Sequence, residues 1–218
     1  MPDYLGSWIK SYLSTRTFKV KLNGKFSQVK IIQAGVPQGS ILGPLLFNIY
    51  FNTISVAILK NKYAKLAMFA DDVAIWVASP FIKIINKQLQ LIMGEIEEWM
   101  NKWRMVVSTN KTVVTLFNRN ASKKVKLEIM YKGKNIRTDH YPKFLGVYLD
   151  PGLNFQHNTN AILLRANRRL NMLKRLKGRN WGLSSSLLII TYKVLIRSIF
   201  DYSAITFSLL SSTTINKT

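Results

Sequence analysis

Cysteine is absent from the 218 residues, histidine occurs only as His140 and His157, and 10 acids stand against 32 lysines and arginines. The missing cysteine excludes disulfide frameworks, thiolate zinc sites and thiol nucleophiles, and two histidines are too few for a histidine-built metal centre. Any metal must sit on carboxylates. The start, Met1-Pro2-Asp3-Tyr4, lacks the basic lead and apolar core of a secretory signal. The uncharged run 41–59 has the length of a membrane span, but Pro44, Asn48, Asn52, Thr53 and Ser55 interrupt it. A buried helix is the better reading, in an intracellular chain with no membrane role.

What is present is positive charge and enough apolar residues to fold. The balance 32 − 10 gives +22 at pH 7, and 48% of residues are hydrophobic, more than charge-rich disorder carries. Such a charge repels itself in a folded chain, so a polyanion is the natural partner, nucleic acid ahead of an anionic membrane surface.

Along the chain, Tyr4, Leu5, Trp8, Ile9, Tyr12 and Leu13 predict a short amphipathic helix. Phe18, Val20 and Leu22 alternate with Lys19 and Lys21 before Asn23-Gly24, which predicts a β-hairpin reaching Ile32. Gly35, Pro37, Gly39, Gly43 and Pro44 punctuate a loop that opens the helix just described. Residues 65–78 alternate on both sides of Asp71-Asp72, predicting a hairpin with two acids at its tip. Ile85, Leu89, Ile92, Ile96, Trp99 and Trp103 then mark a long helix packed on that hairpin. Short strands at 113–117, 125–130 and 144–149, with a turn at Lys132-Gly133-Lys134, predict a small antiparallel extension. After Pro151-Gly152 the stretch 154–200 contains no acid, and a domain boundary is placed there: 1–150, then 151–218. In the second part Leu163, Ala166, Leu170 and Leu173 form an apolar helical face, Arg165, Arg168, Arg175 and Arg179 a basic one, and a second helix near 184–200 should pack on it.

The chemistry concentrates at Asp71-Asp72. Two carboxylates within about 4 Å repel by roughly 1 kcal/mol in water and about 4 at an intermediate dielectric. A divalent cation compensates, and Mg²⁺ favours one or two carboxylates plus substrate phosphates over an all-protein cage. Without context the pair is an ordinary solvated turn. The context is Phe69-Ala70-Asp71-Asp72 preceded by Gly35-Val36-Pro37-Gln38-Gly39-Ser40 and Ile41-Leu42-Gly43-Pro44-Leu45-Leu46-Phe47-Asn48. Together and in this order these resemble motifs C and B of the reverse transcriptases of non-LTR retrotransposons, most like the jockey and related LINE-type elements.

That resemblance implies an α/β (α+β) fold: a partial right-hand palm with an antiparallel sheet at 1–150, then a basic helical thumb at 151–218. It implies an RNA-directed DNA polymerase whose partners are an RNA template, a DNA primer and deoxynucleoside triphosphates, with Mg²⁺ or Mn²⁺ on Asp71 and Asp72, acting in the nucleus. Gly35, Pro37, Gln38, Gly39, Phe69 and Ala70 would face nucleotide and template. Asn110-Lys111-Thr112 is similar to motif D, making Lys111 the general acid toward the pyrophosphate leaving group. Phe144, Leu145 and Gly146 are similar to the primer-gripping motif E, and Arg165, Arg168, Arg169, Arg175 and Arg179 would neutralise duplex phosphates without reading bases. The family's motif A aspartate lies upstream of the helix and hairpin with which this chain begins, and Asp3, the only acid before Asp71, cannot replace it. The resemblance therefore covers only the C-terminal half or so of a polymerase domain, without fingers, and implies a fragment inactive alone. The alternative is a non-catalytic nucleic-acid-binding remnant that uses the basic helices.

Overall fold

The computed structural model describes residues 2–118, 127–178 and 181–210. Contacts divide the chain into two compact units, Met1–Val56 and Ala57–Thr218.

The first unit opens with helix α1 (Asp3–Leu13), whose Asp3 in the first turn and Lys10 in the last complement the helix dipole. Its apolar stripe is present, with Trp8 and Tyr12 stacked at 5.7 Å between ring centroids, yet none of its residues is buried. The hairpin follows as two nested ladders: β1 (Thr17–Phe18) pairs with β4 (Lys30–Ile31), and inside them β2 (Lys21–Leu22) pairs with β3 (Lys25–Phe26). Asn23 and Gly24 close it at φ 47° and 79°, the two positive angles of a type I′ turn. Between the ladders the Val20 amide donates to the Ser27 hydroxyl at 2.9 Å, so a side chain takes the place of a backbone acceptor.

The run expected as one buried helix is two short ones, α2 (Gly43–Phe51) and α3 (Thr53–Leu59), and the boundary between the units falls inside the second. The polar residues that argued against a membrane span account for the break. Thr53 Oγ1 donates to the Tyr50 carbonyl at 3.3 Å and Ser55 Oγ to that of Asn52 at 2.6 Å, back-bonds that bend helices. Phe51, Ile54 and Ile58 are buried, whereas Leu45, Ile49 and Val56 lie in solvent.

In the second unit β5 (Ala64–Phe69) and β6 (Asp72–Val77) pair antiparallel over six residues, from Ala64 opposite Val77 to Phe69 opposite Asp72. Strand alternation puts Leu66, Met68, Val73, Ile75 and Val77 on one face. Helix α4 (Ile82–Lys102) packs on this hairpin, burying Ile92, Ile96, Trp99 and Met100. Next come β7 (Val113–Val114), β8 (Met130–Tyr131), β9 (Lys134–Asn135) and β10 (Arg137–Thr138). The β8–β9 hairpin turns at Lys132-Gly133, again with both φ positive. Gln90 binds it to α4 through both ends of its amide: Nε2 donates to the Met130 carbonyl at 3.1 Å and Oε1 accepts from the Met130 amide at 2.8 Å. Ile129, Tyr131 and Ile136 form the small core there, against Leu89, Met93, Val107 and Val114.

The extension departs from expectation in its strand bounds and in one pairing: the strand expected at 113–117 is only Val113–Val114, and the one expected at 144–149 is a hairpin that turns at Leu145-Gly146. β7 and β10 pair parallel, Val113 with Arg137 and Val114 with Thr138. The intervening chain includes the β8–β9 hairpin and supplies the long return that a parallel pair requires. Residues 125–126 of the expected strand at 125–130 lie outside the described residues. β11 (Lys143–Phe144) and β12 (Val147–Tyr148) form the last hairpin, and the chain ends in helices α5 (Gln156–Arg175) and α6 (Ser185–Tyr192), a π turn (Lys193–Arg197), α7 (Ser198–Tyr202) and α8 (Ala204–Phe207). α6, the π turn and α7 all pack on α5, as the apolar face of that helix predicts. The architecture is mixed helix and small sheets, antiparallel apart from β7–β10. Among the described residues no helix is long and apolar enough to cross a membrane.

Candidate functional site

The acidic pair sits where the alternation places it. Phe69 opposite Asp72 leaves Ala70 and Asp71 as a two-residue loop, and Ala70 takes φ 51° to close it. That left-handed angle costs a residue with a Cβ about 1–2 kcal/mol, and such strain collects at functional loops. Asp71 and Asp72 are both exposed, and neither belongs to any ion pair among the described residues. By register Asp72 shares the hairpin's outer face with Phe69, Ala74 and Trp76, on which Phe69 is 65% exposed. The tip thus presents two free carboxylates beside a bare aromatic ring.

As metal ligands these are hard oxygen donors with no Lys or Arg ion-paired to them among the described residues, which suits a divalent cation. Among the described residues no group of three His, Cys, Asp or Glu could hold a metal ion. Two carboxylates leave most of an octahedral shell to water and to substrate phosphate, the arrangement Mg²⁺ adopts in phosphate-transferring sites.

The glycine-rich loop belongs to the first unit. Gly35 and Gly39 adopt φ 87° and 83°, angles open to glycine and strained for most residues. The Arg16 guanidinium donates to the Gly35 carbonyl at 2.5 Å, anchoring one side of the loop. On the other side Ser40 Oγ donates to the Pro37 carbonyl and accepts from the Gly43 amide, each at 2.9 Å. Gly43 has a steric reason of its own: a Cβ there would stand 2.8 Å from the Pro37 oxygen. Gln38, in the same loop, is exposed.

Lys111 lies after α4 in a turn where its amide bonds the Ser108 carbonyl at 3.0 Å, and its exposed side chain forms no ion pair with Asp71 or Asp72. Phe144, Leu145 and Gly146 occupy the β11–β12 hairpin, with Leu145 and Gly146 as a type I′ turn at φ 45° and 83°. Arg165, Arg168 and Arg175 are exposed along α5, Arg169 is half-buried, and Arg179 lies outside the described residues. Of these residues the structure brings Gly146, Arg165 and Arg169 together, on the wall of one cleft in the second unit. Arg168 and Arg175 do not line it.

Sequence reasoning missed Tyr202. Its hydroxyl donates to the Leu145 carbonyl at 2.5 Å, and its ring lies 3.4 Å from where a Gly146 Cβ would be. A tyrosine 57 residues from the turn it holds carries no local signal.

A family model described as reverse transcriptase (RNA-dependent DNA polymerase) matches residues 1–149. Among the chain's curated relatives are RNA-directed DNA polymerases of mobile elements. The RNA-directed DNA polymerase from mobile element jockey of Drosophila funebris is 30% identical over 96% of this chain and 23% of its own length. That of jockey in Drosophila melanogaster is 33% identical over 73% of this chain and 18% of its own. The probable RNA-directed DNA polymerase from transposon BS of Drosophila melanogaster is 30% identical over 78% and 19%. The chain therefore spans about a fifth of the length of these relatives. No solved structure matches it.

Proposed function

The chain belongs to the reverse transcriptase (RNA-dependent DNA polymerase) family, and from that premise we propose that it serves the extension of a DNA primer on an RNA template by deoxynucleoside triphosphates, as part of a mobile element's polymerase acting in the nucleus. The supporting observation is the exposed, ion-pair-free Asp71-Asp72 tip in a chain of this family. In this reading 1–150 is palm and 151–218 thumb.

Asp71 and Asp72 would hold Mg²⁺ or Mn²⁺, which when bound supplies charge stabilisation to the attacking and leaving oxygens of an in-line phosphoryl displacement. The rest falls to the chain. Lys111 would act through Nζ as the general acid toward the leaving pyrophosphate. Gly35 and Gly39 would offer backbone without side-chain bulk to nucleotide and template, with Pro37 beside them and the Gln38 amide as a hydrogen-bonding group, and Phe69 and Ala70 would also face nucleotide and template. The Phe144-Leu145-Gly146 hairpin would hold the primer end, and Arg165, Arg168, Arg169, Arg175 and Arg179 would neutralise duplex phosphates.

With two carboxylates at the tip and no third grouped with them among the described residues, the chain alone is expected to hold duplex without extending it. A primed RNA template offered with Mg²⁺ or Mn²⁺ and triphosphates, beside a salt series of duplex binding, tests both parts. The expected result is binding that falls steeply from about 50 to 200 mM salt, with no extension. Salt-independent or absent binding would overturn the reading. Extension abolished by Asp71→Asn would uphold the polymerase assignment and overturn the inactivity. The acid-free stretch 154–200 favours a second reading, a binding module without catalysis, in which the α5 arginines matter for affinity and Asp71 does not.

A further inference from the structure

The arginines of α5 are not equivalent, and the difference lies in a cleft of about 260 Å³ lined by Gly146, Ile162, Arg165, Arg169, Ser198, Ile199, Tyr202 and Ser203. No acid is on its wall. The acid nearest in sequence, Asp201, is exposed and paired with Arg197 at 3.4 Å. Arg165 and Arg169 are four residues apart on α5 and so project from one face. Arg169 is oriented by the π turn, where its Nη1 donates to the Leu195 carbonyl at 2.6 Å. That bond leaves Nε and Nη2, the side-on edge of the guanidinium, which matches two oxygens of a phosphate. Ser198 and Tyr202 spend their protons inside the protein, on the Val194 and Leu145 carbonyls. Their role is to shape the cleft, while the arginines supply its charge.

We propose that this cleft is a built site for a single phosphodiester of a nucleic-acid strand, held side-on by Arg169 and from the rim by Arg165, with Tyr202 as the positioning residue that fixes the Leu145-Gly146 turn over it. The exposed Gly146, without a side chain, lets the strand's backbone come close. The assignment rests on the nucleic-acid reading above and sharpens it: one phosphate is gripped in a pocket while Arg168 and Arg175 act as diffuse charge.

The test is a neutral-linkage scan. Single phosphates along each strand of a primer–template duplex are replaced in turn by methylphosphonate, and affinity for the full chain is measured at each position. Binding should fall about tenfold or more at one or two adjacent positions, the loss expected for a charge-assisted hydrogen bond, and little elsewhere. Arg169→Gln should flatten that peak, as should Arg165→Gln in part, whereas Lys87→Gln, an equal loss of charge on α4, should leave it. Tyr202→Phe should weaken the same position while leaving the melting temperature and the salt dependence at other positions unchanged, which a merely structural role would not do. A flat wild-type profile with salt-dependent binding overturns the cleft and spares the nucleic-acid reading, as does a peak that survives Arg169→Gln. Absence of duplex binding overturns both. Inorganic phosphate that protects the wild type against heat, at matched ionic strength, without displacing duplex would assign the cleft to a free anion and overturn the strand.

Discussion

Ala70 and Asp71 are neighbours under opposite demands. Ala70 holds φ 51° so that the two-residue loop can close, at a cost of about 1–2 kcal/mol relative to a relaxed backbone. Glycine would remove that strain but add about 0.4–1 kcal/mol of unfolded-state entropy. The strain is larger, so Ala70→Gly is expected to stabilise the second unit by roughly 0.5–1 kcal/mol in urea titration, and a destabilised variant would show that the angle is not strained. Asp71 is exposed and free of ion pairs, so Asp71→Asn should leave the melting temperature nearly unchanged. It should also relieve the repulsion with Asp72, about 1 kcal/mol at most in water. Its effect belongs to cation binding. In paramagnetic relaxation by Mn²⁺ the wild type is expected to show broadening at residues 69–73, and Asp71→Asn to lose most of it. Equal broadening in both would remove Asp71 from the ligand set.

At the scale of elements, the periodic parts were legible and the long-range ties were not. The α4 stripe announced a helix, and its inner residues Ile92, Ile96 and Trp99 are buried. Asn23-Gly24 and Lys132-Gly133 announced tight turns, because asparagine and glycine between strands favour positive φ and Gly133 stands in a polar turn. The glycine loop and the acidic tip could be read because their backbone geometry is local. The parallel β7–β10 pair, the break between α2 and α3, and Tyr202 on Leu145 depend on partners distant in sequence or on back-bonds that leave no period. The clearest such tie is Asn158, 2% exposed on α5. Its Oδ1 accepts from the Tyr148 amide at 3.1 Å and its Nδ2 donates to Thr206 Oγ1 at 3.3 Å, joining β12, α5 and α8 through one side chain. Asn158→Ala strands both partners and should cost about 1–3 kcal/mol in equilibrium unfolding, with exchange protection lost first at Tyr148. If protection there is unchanged, the hub does not hold the hairpin.

For the whole chain two forces oppose each other. The charge of +22 keeps molecules apart, while large apolar residues face solvent, Ile41 at 97% and Leu22 and Ile31 at 73% each. The β5–β6 pair is a two-stranded sheet whose outer strand edges meet no third strand among the described residues, so backbone donors and acceptors are open to pairing as well. Which force wins is set by salt. At 0.1 M the Debye length is about 10 Å and repulsion still spans the gap between approaching surfaces; at 1 M it is about 3 Å and the apolar contacts are unopposed. The protein is therefore expected to be monodisperse in dilute low-salt buffer and to self-associate as NaCl rises toward 1 M, followed by light scattering. Urea at sub-denaturing concentration should reverse the association, since it solvates apolar and peptide groups alike. Because duplex binding weakens over the same salt range, polyanion and self-association do not compete at one condition. Scattering that stays flat to 1 M NaCl would mean that the exposed apolar residues do not form a cohesive surface, and the open hairpin edge would then need no partner to remain soluble.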